Sequence, residues 1–377
     1  MKIAFVGKGG SGKTTLSSLF IRHLAATGAP VIAVDADINQ HLGPALGLDE
    51  SQAAALPALG ERLPLIKEYL RGTNPLIASA AEMIKTTPPG EGSRLLRVRE
   101  DNPVYGACAR AVELDGDIVR LMVTGPFTDA DLGVACYHSK TGAVELFLNH
   151  LVDGRGEYVV VDMTAGSDSF ASGMFTRFDI TFVVAEPTRK GISVYRQYKE
   201  YARDFGVVLK VVGNKVQGRD DLDFLRAEVG DDLLVTVGHS DWVRALEKGR
   251  PPRFALLEDV NRRALHRLRT AVDATYELRD AERYTRQMVR LKRRQPADDY
   301  CRLAAGAPGT PFGAGAGRPD MKAGQPCFGA SPTPRVPSFS RVFGSWASSQ
   351  SASCRKETQR TSGLLHTCSM VSFTARI

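Results

Sequence analysis

The stretch Gly7-Lys8-Gly9-Gly10-Ser11-Gly12-Lys13-Thr14 constrains this chain more than any other part of it. It fits GxxxxGK[ST] at every fixed position. It lies between the apolar run KIAFVG at 2–7 and the segment TTLSSLFIRHLAATG, where Leu16, Leu19, Phe20 and Leu24 recur at helical spacing up to Gly28. A buried strand, a glycine loop and an amphipathic helix in that order make a phosphate cradle. Successive backbone N–H groups turn inward, and the helix adds the positive end of its dipole. Lys13 is expected on the β- and γ-phosphates and the Thr14 hydroxyl on Mg²⁺. Gly7, Gly9, Gly10, Ser11, Gly12 and Thr15 complete the expected contacts.

The rest of the first 290 residues fits a sheet that carries such a loop. PVIAVDAD follows the first helical segment, and later apolar runs are VRLMVTG (119–125), YVVVDM (158–163), ITFVVAE (180–186), VVLKVVGN (207–214) and LLVTV (233–237). Helical segments separate most of them, including 192–204 and 221–229. Continuous Val/Ile runs between helices predict a doubly wound, mostly parallel α/β sheet covered on both faces. Residues 50–117 lack such runs and predict a helical insertion with a loop at TTPPGEGS. A long charged helix is expected from about Asn261 to Arg294.

The expected organisation is one domain over 1–290 and a tail over 291–377. The tail is rich in Pro, Gly, Ser and Arg, shows no sustained period, and is expected to be disordered. It holds 12 of the 49 Lys and Arg but only 4 of the 42 Asp and Glu, a balance of +8 that leaves the body at −1. The overall charge of +7 is therefore no evidence for a nucleic-acid-binding body. The tail reads either as a basic arm or as a plain extension. Four of the six cysteines also lie there, leaving Cys108 and Cys136 in the body, which is no disulfide framework. With no long apolar run and a glycine-rich turn after six residues, the expected compartment is the cytoplasm, with peripheral membrane association as the alternative.

Lys8, directly after the first glycine in KGGxGKTT, resembles the deviant Walker A motif of the MinD/ParA family of P-loop ATPases. That family includes the iron protein of nitrogenase and the nickel-insertion ATPases of carbon monoxide dehydrogenase. The resemblance implies a homodimer around ATP and Mg²⁺ in which Lys8 reaches the partner's nucleotide. It likewise places Asp35 of Val34-Asp35-Ala36-Asp37 near Mg²⁺ and gives Asp37 the task of orienting or deprotonating the attacking water. YVVVDMTAG resembles the family's Walker B strand and switch, so Asp162 would hold Mg²⁺ through water and Gly166 would offer its N–H to the γ-phosphate. Asn214 of VVGNKV matches an asparagine that binds adenine. Gln217 stands where GTP-selective NKxD proteins carry aspartate, which favours ATP. Pro187 and Gly238-His239-Ser240 either flank the base or make ordinary turns.

The DAD and EPT segments resemble the nickel-insertion ATPases most. Those proteins carry a Cys-x-Cys pair near the position of Cys136-Tyr137-His138, where two subunits bind a metal at the dimer axis. Two copies of Cys136 and His138 would give an S₂N₂ set suited to Zn²⁺ or Ni²⁺; the other reading is a buried cysteine beside a helix cap. A nitrogenase-type iron–sulfur bridge is not expected, because TAGSDSFASGMF after Walker B has no cysteine. The segment 283–295 has Tyr284, Met288 and Leu291 among six basic residues, fitting either a membrane surface or docking on its own domain. The resemblance implies an ATP-driven switch acting on an unidentified client protein. The alternative is a positioning or partitioning ATPase on a membrane surface or DNA, and a phosphotransferase is a third class.

Overall fold

The apolar run at 2–7 becomes β1 (Lys2–Gly7), and in the computed structural model all six of its residues are buried. Its side chains alternate between two cores, which is why the run shows no polar face. Ile3 and Phe5 pack with Leu16, Leu19, Phe20 and Leu24 on one side of the sheet. Ala4 and Val6 pack with Phe147, Tyr195 and Leu225 on the other. Burying both faces removes the sheet from water except at its edges, and hydrophobic burial is the main favourable term in such a fold.

The structure describes residues 1–37, 39–126, 137–166, 173–250 and 252–276, without the side chains of 137–140 and 204. All of these residues fall in one unit, Met1–Pro319. After β1 come α1 (Lys13–Ala25), β2 (Val31–Ala36), α2 (Leu42–Ala45), α3 (Glu50–Ala54), α4 (Leu63–Arg71), β3 (Leu96–Arg97) and α5 (Pro103–Cys108). Then come β4 (Ala109–Leu114), β5 (Asp117–Val123), α6 (Tyr137–His150), β6 (Leu151–Val152), β7 (Tyr158–Met163) and β8 (Ile180–Ala185). The last elements are α7 (Arg189–Ala202), β9 (Leu209–Gly213), α8 (Arg219–Val229), β10 (Leu233–Thr236), α9 (Asp241–Glu247) and α10 (Asp259–Thr275).

Eight strands form one sheet in the order β10-β9-β8-β1-β7-β2-β5-β4. Every neighbouring pair is parallel except β4 with β5. The doubly wound, mostly parallel α/β sheet expected from the apolar runs is therefore present. β1 lies between β7 and β8, so the loop after β1 opens at the C-terminal edge of the sheet's centre, where ligands bind in open α/β folds. α1 starts on that loop and ends in a turn in which Gly28 (φ +69) donates to the Ala25 carbonyl.

The expected helical insertion at 50–117 needs correction. It contains α3, α4 and α5, but Leu96–Arg97 pairs with β6 and Ala109–Leu114 joins the main sheet as an antiparallel edge strand. Only Val112 and Leu114 of β4 are buried, while Arg110, Ala111 and Glu113 are exposed. A half-exposed edge strand alternates instead of forming a continuous apolar run. Asp115 (φ +52) and Gly116 (φ +99) make the two-residue hairpin turn to β5. The expected long helix begins at Asp259 and is described as far as Thr275; its remainder and the tail at 291–377 lie outside the described residues. Among the described residues no helix is long and apolar enough to cross a membrane.

Candidate nucleotide site

The phosphate loop is shaped by how closely β1 and β8 run together. A Cβ at Gly7 would sit 2.5 Å from the Val184 carbonyl oxygen and 2.7 Å from the Ser11 hydroxyl, so only glycine fits there. Gly12 caps α1 with φ +94, and a Cβ there would overlap the Asn214 amide nitrogen. The Ser11 N–H closes a turn on the Lys8 carbonyl at 3.1 Å. Lys13 is buried, Gly12, Thr14 and Thr15 are half-buried, and Lys8, Gly9 and Gly10 are exposed.

Main-chain register brings the acidic residues together. Asp35 on β2 is paired with Asp162 on β7, and Asp162 also pairs with Phe5 of β1. The Thr14 hydroxyl donates to Asp162 Oδ2 at 2.6 Å. The other oxygen, Asp162 Oδ1, is buried and has no hydrogen-bond partner among the described residues. Burial raises the Asp162 carboxyl to about 7, Thr14 and the Lys13 ammonium oppose that rise, and the Asp37 charge adds to it. A buried acid oxygen lacking a donor, beside a threonine hydroxyl, is a hard-oxygen donor set that fits Mg²⁺.

Asp35 has a different local task. It is fully buried, and burial together with the Asp162 charge holds its carboxyl well above the carboxylate range. Its Oδ1 accepts the Asp37 N–H at 3.0 Å and its Oδ2 accepts the Leu42 N–H at 2.9 Å. Asp35 thus shapes the turn that presents Asp37. That residue is half-buried, and its Oδ1 accepts from the Asn39 N–H at 3.1 Å and the Asn39 amide at 2.9 Å.

The segment after β7 folds back on the loop. The Gly166 N–H, expected on a γ-phosphate, donates instead to the Gly7 carbonyl at 3.0 Å, and Gly166 holds φ +84. Asn214 and Lys215 tie the same loop to β9. The Asn214 amide donates to the Ser11 carbonyl at 2.8 Å. The Lys215 ammonium donates to the Gly10 carbonyl at 2.8 Å and pairs with Glu186 at 2.5 Å.

A cavity of about 530 Å³ opens beside Gly10, Gly12 and Asn214, and its far wall contains Gly238, His239, Ser240, Arg244 and Glu247. Thr15 also lines it, whereas Pro187 does not. Its size suits a nucleoside, within the usual range of small-molecule pockets. The sequence had offered 238–240 as base contacts or turn residues, and these residues do border the cavity. Arg244, Glu247 and the residues that fix this wall went unnoticed. They lie on short, half-exposed elements without an apolar period to flag them.

Cys136 lies outside the described residues, and His138 falls in α6 where side chains are not described. Among the described residues no group of three or more His, Cys, Asp and Glu could hold a metal ion.

A glycine loop at the centre of a mostly parallel sheet, with a half-buried threonine bonded to a buried aspartate at its mouth, defines a P-loop nucleotide-binding protein. The chain belongs to the CobQ/CobB/MinD/ParA nucleotide binding domain family, which matches residues 3–294. It is 30% identical over 247 residues to an uncharacterized ATP-binding protein of Methanocaldococcus jannaschii, covering 64% of this chain and 87% of the relative. It is 27% identical over 250 residues to the carbon monoxide dehydrogenase accessory protein CooC of Rhodospirillum rubrum, covering 66% and 87%. Among solved structures it is similar to the septum site-determining protein MinD of Pyrococcus horikoshii, complexed with Mg-ADP. That likeness has a TM-score of 0.48 at 15% identity and covers 72% of this chain and 95% of that one.

Proposed function

We propose that this chain binds ATP with Mg²⁺, hydrolyses it, and acts as a switch whose ATP-bound form pairs with a second copy and works on a client protein. The observation that carries the reading is the buried Asp162 oxygen, which has no hydrogen-bond partner among the described residues and is set beside Thr14 at the mouth of the phosphate loop. An uncompensated buried carboxylate oxygen is costly unless the site is built for a cation. The relationship to the carbon monoxide dehydrogenase accessory protein CooC supports an accessory role toward another protein.

In this reading the loop amides and Lys13 bind the triphosphate, and the 530 Å³ cavity takes the nucleoside. Mg²⁺, held by Thr14 and Asp162 with Asp35 behind them, would offset charge on the phosphate oxygens. Asp37 takes a proton from the attacking water as its oxygen bonds to the γ-phosphorus. The bond from that phosphorus to the bridging oxygen breaks, leaving ADP and phosphate. Lys8 is exposed and reaches toward the nucleotide of the second copy, where a further cation stabilises the transferred group. Gly166 must release the Gly7 carbonyl to offer its N–H to the γ-phosphate, and that exchange is how ATP state would be transmitted.

The test is a pair of variants. Lys13→Ala should lose nucleotide binding, while Asp37→Ala should retain ATP and remain dimeric by light scattering. Full turnover by Asp37→Ala removes that residue from the mechanism, and a monomer saturated with Mg-ATP overturns the dimer. Metal analysis of the trapped dimer examines the maturation role. About one Zn²⁺ or Ni²⁺ per dimer, lost in Cys136→Ser and His138→Ala, supports it.

A further inference from the structure

The two walls of the nucleoside cavity are held in different ways. The near wall is the phosphate loop with α1, fixed by the central strands. The far wall is the loop from Val237 into α9, which follows the edge strand β10. An edge strand has a neighbour on one side only, so the loop beyond it needs another anchor.

That anchor is one carboxylate and one amide at the start of α10. Glu258 Oε2 accepts from the Ser240 hydroxyl at 2.8 Å and from the Asn261 amide at 3.0 Å. Glu258 Oε1 accepts the Trp242 N–H at 3.1 Å. Asn261 Oδ1 accepts the Gly238 N–H at 3.1 Å. Ser240 in turn caps α9 by accepting the Val243 N–H at 3.1 Å. Asn261 and Trp242 are almost fully buried and Glu258 is half-buried. Hydrogen bonds to a charged acceptor in such surroundings are among the strong ones.

We infer that Glu258 and Asn261 are positioning residues for nucleoside recognition: they set the distance between the 238–240 wall and the Asn214 side of the cavity. Neither lines the cavity, and both act through Gly238 and Ser240, which do. This rests on the reading of that cavity as the nucleoside pocket. It implies a division of labour, in which the phosphate loop binds the polyphosphate regardless of Glu258 and the clasp governs only the part of affinity that comes from the nucleoside.

Tripolyphosphate separates the two contributions. In calorimetric titrations with Mg²⁺ present, Glu258→Gln should bind ATP about tenfold more weakly than wild type. Its affinity for tripolyphosphate should stay within about twofold, because that ligand reaches only the phosphate loop. Its preference for ATP over GTP should narrow. Asn261→Ala should behave alike, and Ser240→Ala, which removes the bond to Glu258 and the cap on Val243 but leaves the other three, should weaken ATP about threefold; it also serves if Glu258→Gln does not fold. Equal weakening of ATP and tripolyphosphate would show a general structural role and overturn the inference, as would an unchanged ATP affinity in all three variants. A wild-type chain that binds tripolyphosphate but gains nothing from the nucleoside removes the pocket assignment. One that binds neither removes the nucleotide reading altogether.

Discussion

The two ends of the nucleotide site are built on different principles. At the phosphate end, geometry comes from main-chain register: β1 is pinned between β7 and β8, β2 lies beside β7, and Asp35 and Asp162 face each other because their strands are paired. At the nucleoside end, geometry comes from side chains: Asn214 reaches across from β9 on one side, and Glu258 and Asn261 clasp the wall on the other. Register is shared among many backbone hydrogen bonds and is hard to shift. A side-chain clasp rests on a few bonds and changes with one substitution. The phosphate end should therefore fail abruptly when it fails, and the nucleoside end should be tunable.

The largest effects belong to the crowded glycines. Gly12→Ala places a Cβ on the Asn214 amide at a backbone angle that L-residues rarely adopt. ATP affinity should fall by more than about 100-fold, as for Lys13→Ala, because the loop cannot close around phosphate. Calorimetry measures the loss, and circular dichroism should show the sheet intact. A Gly12→Ala chain that binds ATP normally would mean that the loop is softer than the register argument requires.

Next comes the pH dependence of the acid pair. With its folded pKa raised to about 7, Asp162 favours the nucleotide-free fold while it is protonated. That contribution is fully present below the ordinary carboxylate value near 4 and is lost as pH rises through 7. Mg²⁺ needs the ionised form, so the gain in ATP affinity on adding Mg²⁺ should fall about tenfold per unit as pH drops below 7. Asp162→Asn should flatten both the melting profile and the Mg²⁺ effect. A Mg²⁺ effect unchanged between pH 5 and 8 would mean that this carboxylate does not hold the ion.

The same contrast explains what the sequence made legible. Gly7 to Thr14, Asp35 and Asp162 were readable because strand, loop and helix fall within a short local window and because runs such as YVVVDM need burial on both faces. β4 was missed because half of its residues face water, although Asp115-Gly116 is a hairpin signal that could have identified it. Glu258 and Asn261 left no trace. Their meaning depends on a loop about 20 residues earlier, and contacts between distant segments are not written in periodicity. The partner of Gly166 was equally invisible, since its engagement with Gly7 depends on the fold bringing two loops together.

The smallest effect should come from the most exposed tie. Lys215 adopts φ +60, uncommon for a residue with a Cβ, while its ammonium bridges the Gly10 carbonyl and Glu186. The lysine side chain is 56% exposed, so solvent screens the ion pair, and Lys215→Met should cost no more than about 1 kcal/mol in stability. Its effect on the loop should still be visible in binding. With Gly10 released, ATP and tripolyphosphate should weaken together by about two- to threefold, because Lys215 touches the phosphate loop. Lys215→Gly relieves the positive φ while removing the same bridge, so it should lose equal affinity and regain part of the stability. If instead Lys215→Met weakened ATP alone, the boundary between the two ends would lie on the phosphate side of Lys215, and the register of the strands would govern less of the site than their pairing suggests.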